Sequence, residues 1–129
     1  MIIKKILLWI WQFPQNIAGF FLSRGASKEE YEGIKYYIKP LFRSGVSLGN
    51  YIILDPVILR FRDSYVKNSI KHEHGHQIQS LYFGPLYLIL IGIPSLCGNL
   101  KSRYYHLTRE WYYNQPWEKW ADKLGKVER

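Results

Sequence analysis

Residues 81–100, LYFGPLYLILIGIPSLCGNL, carry no charged side chain, and about 20 residues of this kind suffice to cross a bilayer as one helix. The run separates two polar clusters, HEHGH at 72–76 and EKWAD at 118–122. A straight helix of this length rises about 30 Å, which would hold the two clusters on opposite sides of a membrane. Gly84, Pro85, Gly92 and Pro94 interrupt the run, and such residues are where helices kink or break. We expect a broken helical segment over 82–100 that folds back, so that the two clusters can meet.

The reason to want them together is chemical. In HEHGH, His72 and His76 stand four apart, which on a helix puts both imidazoles on one face, one turn apart, where they can grip a single ion. Glu73, next to the first histidine, can then serve as general base toward a metal-activated water. A catalytic zinc requires a third protein ligand and an open fourth position. EKWAD offers Glu118 and Asp122, again four apart on one helix face. Glu118 can bind metal, and Asp122 can accept a hydrogen bond from a ligand histidine and so fix its tautomer. His74 points away from the other two histidines on a helix and reads as a supporting or surface residue. His106, Tyr112 and Tyr113 are each able to polarise a carbonyl, and each also reads as structural.

HExxH followed downstream by ExxxD resembles the gluzincin metallopeptidases. The ExxAD form, here EKWAD, is similar to the HtpX-like and CAAX-prenyl-protease-like membrane metallopeptidases. The longer pattern from HEHGHQIQSLYFGPLYL to EKWADKLG also resembles a group of small bacterial proteins with the same order of motifs. The resemblance implies zinc held by His72, His76 and Glu118, with Glu73 as catalytic base and Asp122 behind a ligand. It also implies an edge strand ahead of the motif helix, for which VSLGNYIIL, residues 46–54, stands in the right order. A metzincin would place Gly at 79 and His at 82, where this chain has Gln79 and Tyr82, so that class is excluded.

Around the motifs the chain reads as follows. The apolar start is interrupted by Pro14, Gln15 and Asn16 and lacks a convincing small-residue cleavage site, so it reads as two short helices, about 3–13 and 15–23, rather than a signal peptide. Each is too short to span lipid. Two readings of their tryptophans and phenylalanines stand side by side: a membrane interface, with Lys4, Lys5 and Arg24 at the headgroups, or packing on the protein's own core. SKEEYEG reads as a helical turn capped by Ser27 with Glu30 completing a capping box. IKYYIKPLF and VSLGNYIILDP read as two antiparallel strands joined at RSG, a β-hairpin over 34–55. A helix over 64–81, capped by Asp63 or Ser64, carries HEHGH. A basic helix is expected at 102–114 and the ExxAD helix at 116–125, begun by Pro116. The lone Cys97 reads as a small buried hydrophobe.

The fold class is therefore α+β: a mainly helical, minimal zincin-like single domain over 1–129 with a short antiparallel β-hairpin before the HExxH helix. The 18 Lys and Arg against 10 Asp and Glu give a formal charge of +8, which favours anionic partners. A peptide or protein substrate and a membrane surface are the partners expected. Basic and aromatic residues interleave in RFRDSYVKNSIK and KSRYYHLTR, but no nucleic-acid motif accompanies them, so nucleic acid is disfavoured. The functional expectation is a zinc-dependent metallopeptidase that is membrane-associated or cytoplasmic. The alternative is a non-catalytic membrane-associated or regulatory binding protein with a structural metal or none.

Overall fold

The computed structural model describes residues 2–41 and 43–129. It is an α+β fold, mostly helical, with a four-stranded mixed sheet. Helices α1 (Ile2–Trp11) and α2 (Phe13–Leu22) open the chain. Their junction follows from Pro14, accepted in the first turn of α2 because the amide it lacks would have no helical partner there.

The sheet comprises β1 (Ser27–Tyr31), β2 (Ile34–Ile38), β3 (Gly45–Leu48) and β4 (Tyr51–Leu54) in the order β1-β2-β4-β3. SKEEYEG is thus a strand and a turn, not a helical turn. Glu32 and Gly33 both hold positive φ, the conformation of a tight two-residue hairpin loop, and Tyr31 pairs with Ile34 across it. The expected 34–55 hairpin also divides differently. VSLGNYIIL is itself a hairpin, turning at Gly49 and Asn50 with Leu48 opposite Tyr51, while β2 runs parallel to β4. The Gly-Asn dipeptide is the stronger turn signal, and the Asn50 amide donates to Asn16 Oδ1 at 2.7 Å, tying that turn to α2.

After a 3₁₀ turn at Pro56–Arg60, α3 spans Asp63–Phe83 and carries HEHGH. Its N-cap is Arg62, which gives no side-chain cap; Asp63 lies in the first turn instead, where a carboxylate faces the positive end of the helix dipole. The uncharged run breaks at Gly84, whose φ of 55° few other residues adopt. A 3₁₀ turn, Gly84–Leu86, leads to a π turn, Leu88–Gly92, and then α4, Ile93–Tyr104. Gly92 stays in the right-handed helical region, so the second glycine and proline widen the helix without reversing it. No described helix is long and apolar enough to cross a membrane.

The basic helix expected at 102–114 is split. α4 ends at Tyr104, His106 adopts φ 54°, and α5 begins anew at Arg109–Tyr113 with Thr108 accepting from the Trp111 amide. α6, Pro116–Gly125, has the bounds the sequence suggests. Cys97 is exposed rather than buried, because it stands on an outward part of α4. A small apolar core, Ile52, Leu54, Ile58 and Ile70, joins the sheet to α3.

Candidate metal centre

α3 and α6 form the most extensive helix pair of the molecule, and two glycines explain how closely they meet. A Cβ on Gly75 would collide with the Ala121 carbonyl, and one on Gly125 with the Lys71 carbonyl. With hydrogen in place of a side chain, backbone packs directly on backbone. The middle of HEHGH is thus a contact point, and its consequence is that Glu118 reaches both histidines.

Glu118 is fully buried. Its Oε1 lies 3.0 Å from His72 Nε2 and 2.9 Å from His76 Nε2. On the far side of each ring, Nδ1 meets an acceptor. His72 Nδ1 donates to Asp122 Oδ1 at 2.7 Å, and Asp122 is gripped from outside by Arg129 through Nε at 2.8 Å and Nη2 at 3.1 Å. His76 Nδ1 donates to Gln79 Oε1 at 2.6 Å. The Gln79 amide nitrogen in turn donates to the Trp117 carbonyl at 2.9 Å, so its oxygen must be the atom turned to His76.

The Gln79 contact fixes the His76 tautomer, while His72 has a carboxylate oxygen at each ring nitrogen. With Nδ1 carrying the proton, each neutral imidazole presents a bare Nε2 toward a carboxylate oxygen. Lone pairs from three buried atoms then converge, which is unfavourable unless a cation lies among them. Glu73 adds a further donor: His72, Glu73 and His76 each offer a ligand atom within 4.8 Å of one another, all buried. Glu73 Oε2 and Glu118 Oε2 are buried without a hydrogen-bond partner among the described residues. The group could hold a metal ion, and imidazole with carboxylate is a donor set suited to a divalent transition metal.

The titration behaviour has the same origin. Burial alone would lower the His72 pKa, but the hydrogen bonds to Asp122 and Glu118 overcome it and raise the value to about 9. Burial would raise Glu118, yet hydrogen bonds from His72 and His76 pull it well below the ordinary carboxylate range. A proton thus takes up the positive position among the donors. Glu73 is shifted the other way, raised chiefly by burial and only partly offset by His76 and His72.

One side of the cluster opens to a cavity of about 580 Å³, walled by His72 and Glu73 and by Gly45 of β3. β3 is an edge strand, and a Cβ on Gly45 would stand 3.6 Å from Glu73 Cδ, so the strand edge and the carboxylate share one wall. His106, Tyr112 and Tyr113 all line the same cavity. Tyr112 is buried with its hydroxyl 3.0 Å from Ser95 Oγ. Tyr113 lies edge-on to His72, with ring centroids 5.0 Å apart. His74 stands outside the cluster: its Nδ1 donates to Gln77 Oε1 at 2.9 Å, and Gln77 Nε2 donates to the Gly49 carbonyl at 3.1 Å.

Gln79, Gly75, Gly125 and Arg129 were not singled out by the motifs as parts of the centre. Only Gln79 left a trace in the sequence, three residues after His76 on the same helix face. No family model, curated protein or solved structure matches the chain.

Proposed function

We propose that the protein is a zinc-dependent peptidase of the gluzincin kind, with His72, His76 and Glu118 as ligands and Glu73 as the catalytic base. The observation that carries this reading is the convergence of the two imidazole Nε2 atoms on one buried carboxylate beside an open cavity. Three protein ligands with a free side toward a cavity is the pattern of catalytic rather than structural zinc. Bound zinc supplies Lewis acidity toward a substrate carbonyl and lowers the pKa of water.

The remaining work falls to the chain. Glu73, whose pKa burial raises, is suited to take a proton from the attacking water and return it to the leaving amine. Asp122 and Gln79 hold the two Nδ1 protons, so both Nε2 atoms stay available. The edge of β3, next to Glu73, can bind an extended peptide as an added strand.

The reading includes residence at a membrane surface. α1 has no buried residue, and Ile3, Leu7 and Ile10 are 73%, 61% and 57% exposed. Lys4 and Lys5 on the same helix suit anionic headgroups, so a short apolar helix lying in the interface is the form that fits.

Hydrolysis of a broad peptide library by the zinc-loaded protein tests the activity. Wild type is expected to cleave and Glu73→Gln to retain stoichiometric zinc while losing at least 1,000-fold in kcat, on the order of the loss when a general base is removed. Cleavage by the variant at the wild-type rate would refute the mechanism.

A further inference from the structure

The cavity beside Glu73 has a charge pattern that the metal centre does not require. Its lining includes Arg43, Arg103 and Arg109, and Glu73 is the only acidic residue of its wall among the described residues. The three arginines come from separate parts of the chain: the segment before β3, the end of α4 and the start of α5. A peptidase cleft needs no such excess of fixed positive charge, and clefts lined by one sign of charge concentrate ligands of the other.

The backbone around the arginines is constrained. Arg43 at φ 62° and His106 at φ 54° both hold left-handed conformations and both line this cavity. Such a conformation costs about 1–2 kcal/mol for a residue other than glycine and tends to persist at functional sites. Each has a visible support. Asp55 Oδ2 accepts from the Leu41 and Arg43 amides at 2.7 and 2.9 Å, and Ser102 closes the turn through His106 by accepting from the Leu107 amide at 2.8 Å.

Arg109 is tied to the histidine cluster through Tyr113. Its guanidinium lies 4.6 Å from the Tyr112 ring centroid and 5.1 Å from that of Tyr113, and Tyr113 packs on His72. Its hydrogen bonds go to neutral oxygens and are long, 3.4 Å to Asn99 Oδ1 and 3.3 Å to the Tyr113 hydroxyl. A guanidinium carries five donors in a planar fork matched to a carboxylate, so most of that capacity is open to a ligand.

Resting on the peptidase reading, we propose that this cavity selects peptides bearing a carboxylate near the bond to be cleaved, and that Arg109 is the residue that binds it. The carboxylate can be a free C-terminus or an Asp or Glu side chain, and both offer the same two oxygens to the fork.

Binding separates this proposal from the catalytic one, because it needs no turnover. Three forms of one fluorescent peptide are titrated into zinc-loaded Glu73→Gln protein: with a free C-terminus, amidated with an internal Glu, and amidated with Gln replacing that Glu. At least one of the carboxylate forms is expected to bind tenfold or more tightly than the neutral form. Which one does so identifies the source. Arg109→Gln in the same background should erase the preference and Arg109→Lys should keep part of it, both with unchanged zinc content and far-UV circular dichroism. Should Arg109→Gln misfold, Arg43→Gln is the second variant, expected to reduce the preference.

Equal binding of all three forms, or no binding of any, overturns the proposal. So does a single-stranded oligonucleotide that binds more tightly than every peptide with a steep salt dependence. A carboxylate preference lost in Arg109→Gln, with no hydrolysis by wild type, would leave the site standing and remove the peptidase reading. Hydrolysis indifferent to carboxylates would do the reverse.

Discussion

The α3–α6 contact and the surface of α1 invert the usual distribution of polarity. Between α3 and α6 the buried side chains are mostly polar, with His72, Glu73, His76, Gln79 and Glu118 beside the small Ala121, whereas α1, IIKKILLWIW, buries nothing. The junction of α1 and α2 shows the same inversion locally. Gln12 and Gln15 are buried and meet Ser80 of α3 at 2.5 and 2.8 Å, and Gln15 also donates to the Gly84 carbonyl at 2.8 Å. Two apolar helices are thus fastened to the body by amides and a hydroxyl. Buried polar groups are mostly hydrogen-bonded, and Glu73 Oε2 and Glu118 Oε2 at the α3–α6 contact, unpartnered among the described residues, are exceptions that a bound ion would account for. Exposed apolar surface of this extent is what the proposed membrane contact of α1 would cover.

Closing the gap between α3 and α6 is the most direct way to break the polar half of this comparison. Gly75→Val places a side chain where the Ala121 carbonyl stands. It should cost about 3 kcal/mol or more in stability, as overpacking against backbone does, and abolish zinc binding. Chemical denaturation and metal analysis of the variant provide the check.

The apolar half is broken by charge. Replacing Ile3 and Leu7 together by Glu should weaken binding to anionic phospholipid vesicles at least about 100-fold, since each apolar side chain removed from water is worth about 1.5–3 kcal/mol. Sedimentation with vesicles measures this, and unchanged binding would exclude α1 as the contact.

A smaller effect belongs to the residues that hold the rings. Gln79→Leu frees the His76 tautomer and leaves the Trp117 carbonyl without its donor. Zinc affinity should fall about 10–100-fold, as is typical when a partner behind a ligand is lost. Competition with a chromophoric chelator reads the change.

The polar half also predicts a pair of opposed pH slopes. Without metal, His72 titrates near 9 instead of its ordinary 6.5, so its stabilisation is complete below 6.5 and is lost as pH rises through 9. Glu118 is lowered from its ordinary 4.5, so its contribution is present above 4.5 and fades on acidification. The melting temperature of the metal-free protein should therefore be highest between about pH 4.5 and 6.5 and fall toward 9. Zinc must displace the same protons, so the rise in melting temperature on adding zinc should grow over that range. Scanning calorimetry with and without zinc would show parallel profiles if the donors do not share one cation.

The pairing of these side chains was legible in the sequence because helical periodicity alone puts His72 beside His76 and Glu118 beside Asp122. The meeting of the two helices was legible less directly, from the break that Gly84 and Pro85 impose. What the sequence hid is what depends on contacts between distant segments. SKEEYEG has helix-capping residues at helix-capping spacing, yet a strand forms because Glu32 and Gly33 turn the chain onto Ile34–Ile38. The parallel pairing of β2 with β4 has no local signature at all. Arg109 and Arg129 belong to no motif: Arg109 lies over Tyr112 and Tyr113, and Arg129 reaches back to Asp122 after the chain turns at Lys126 with φ 59°.

Zinc affinity in two carboxylate variants tests the centre most directly, because both Glu73 and Glu118 lie within reach of the histidines. With Glu118 as the third ligand, Glu118→Gln should lose at least 100-fold in zinc affinity, while Glu73→Gln binds within a few-fold of wild type. The opposite ranking, with Glu73→Gln losing the metal and Glu118→Gln keeping it, would contradict the account.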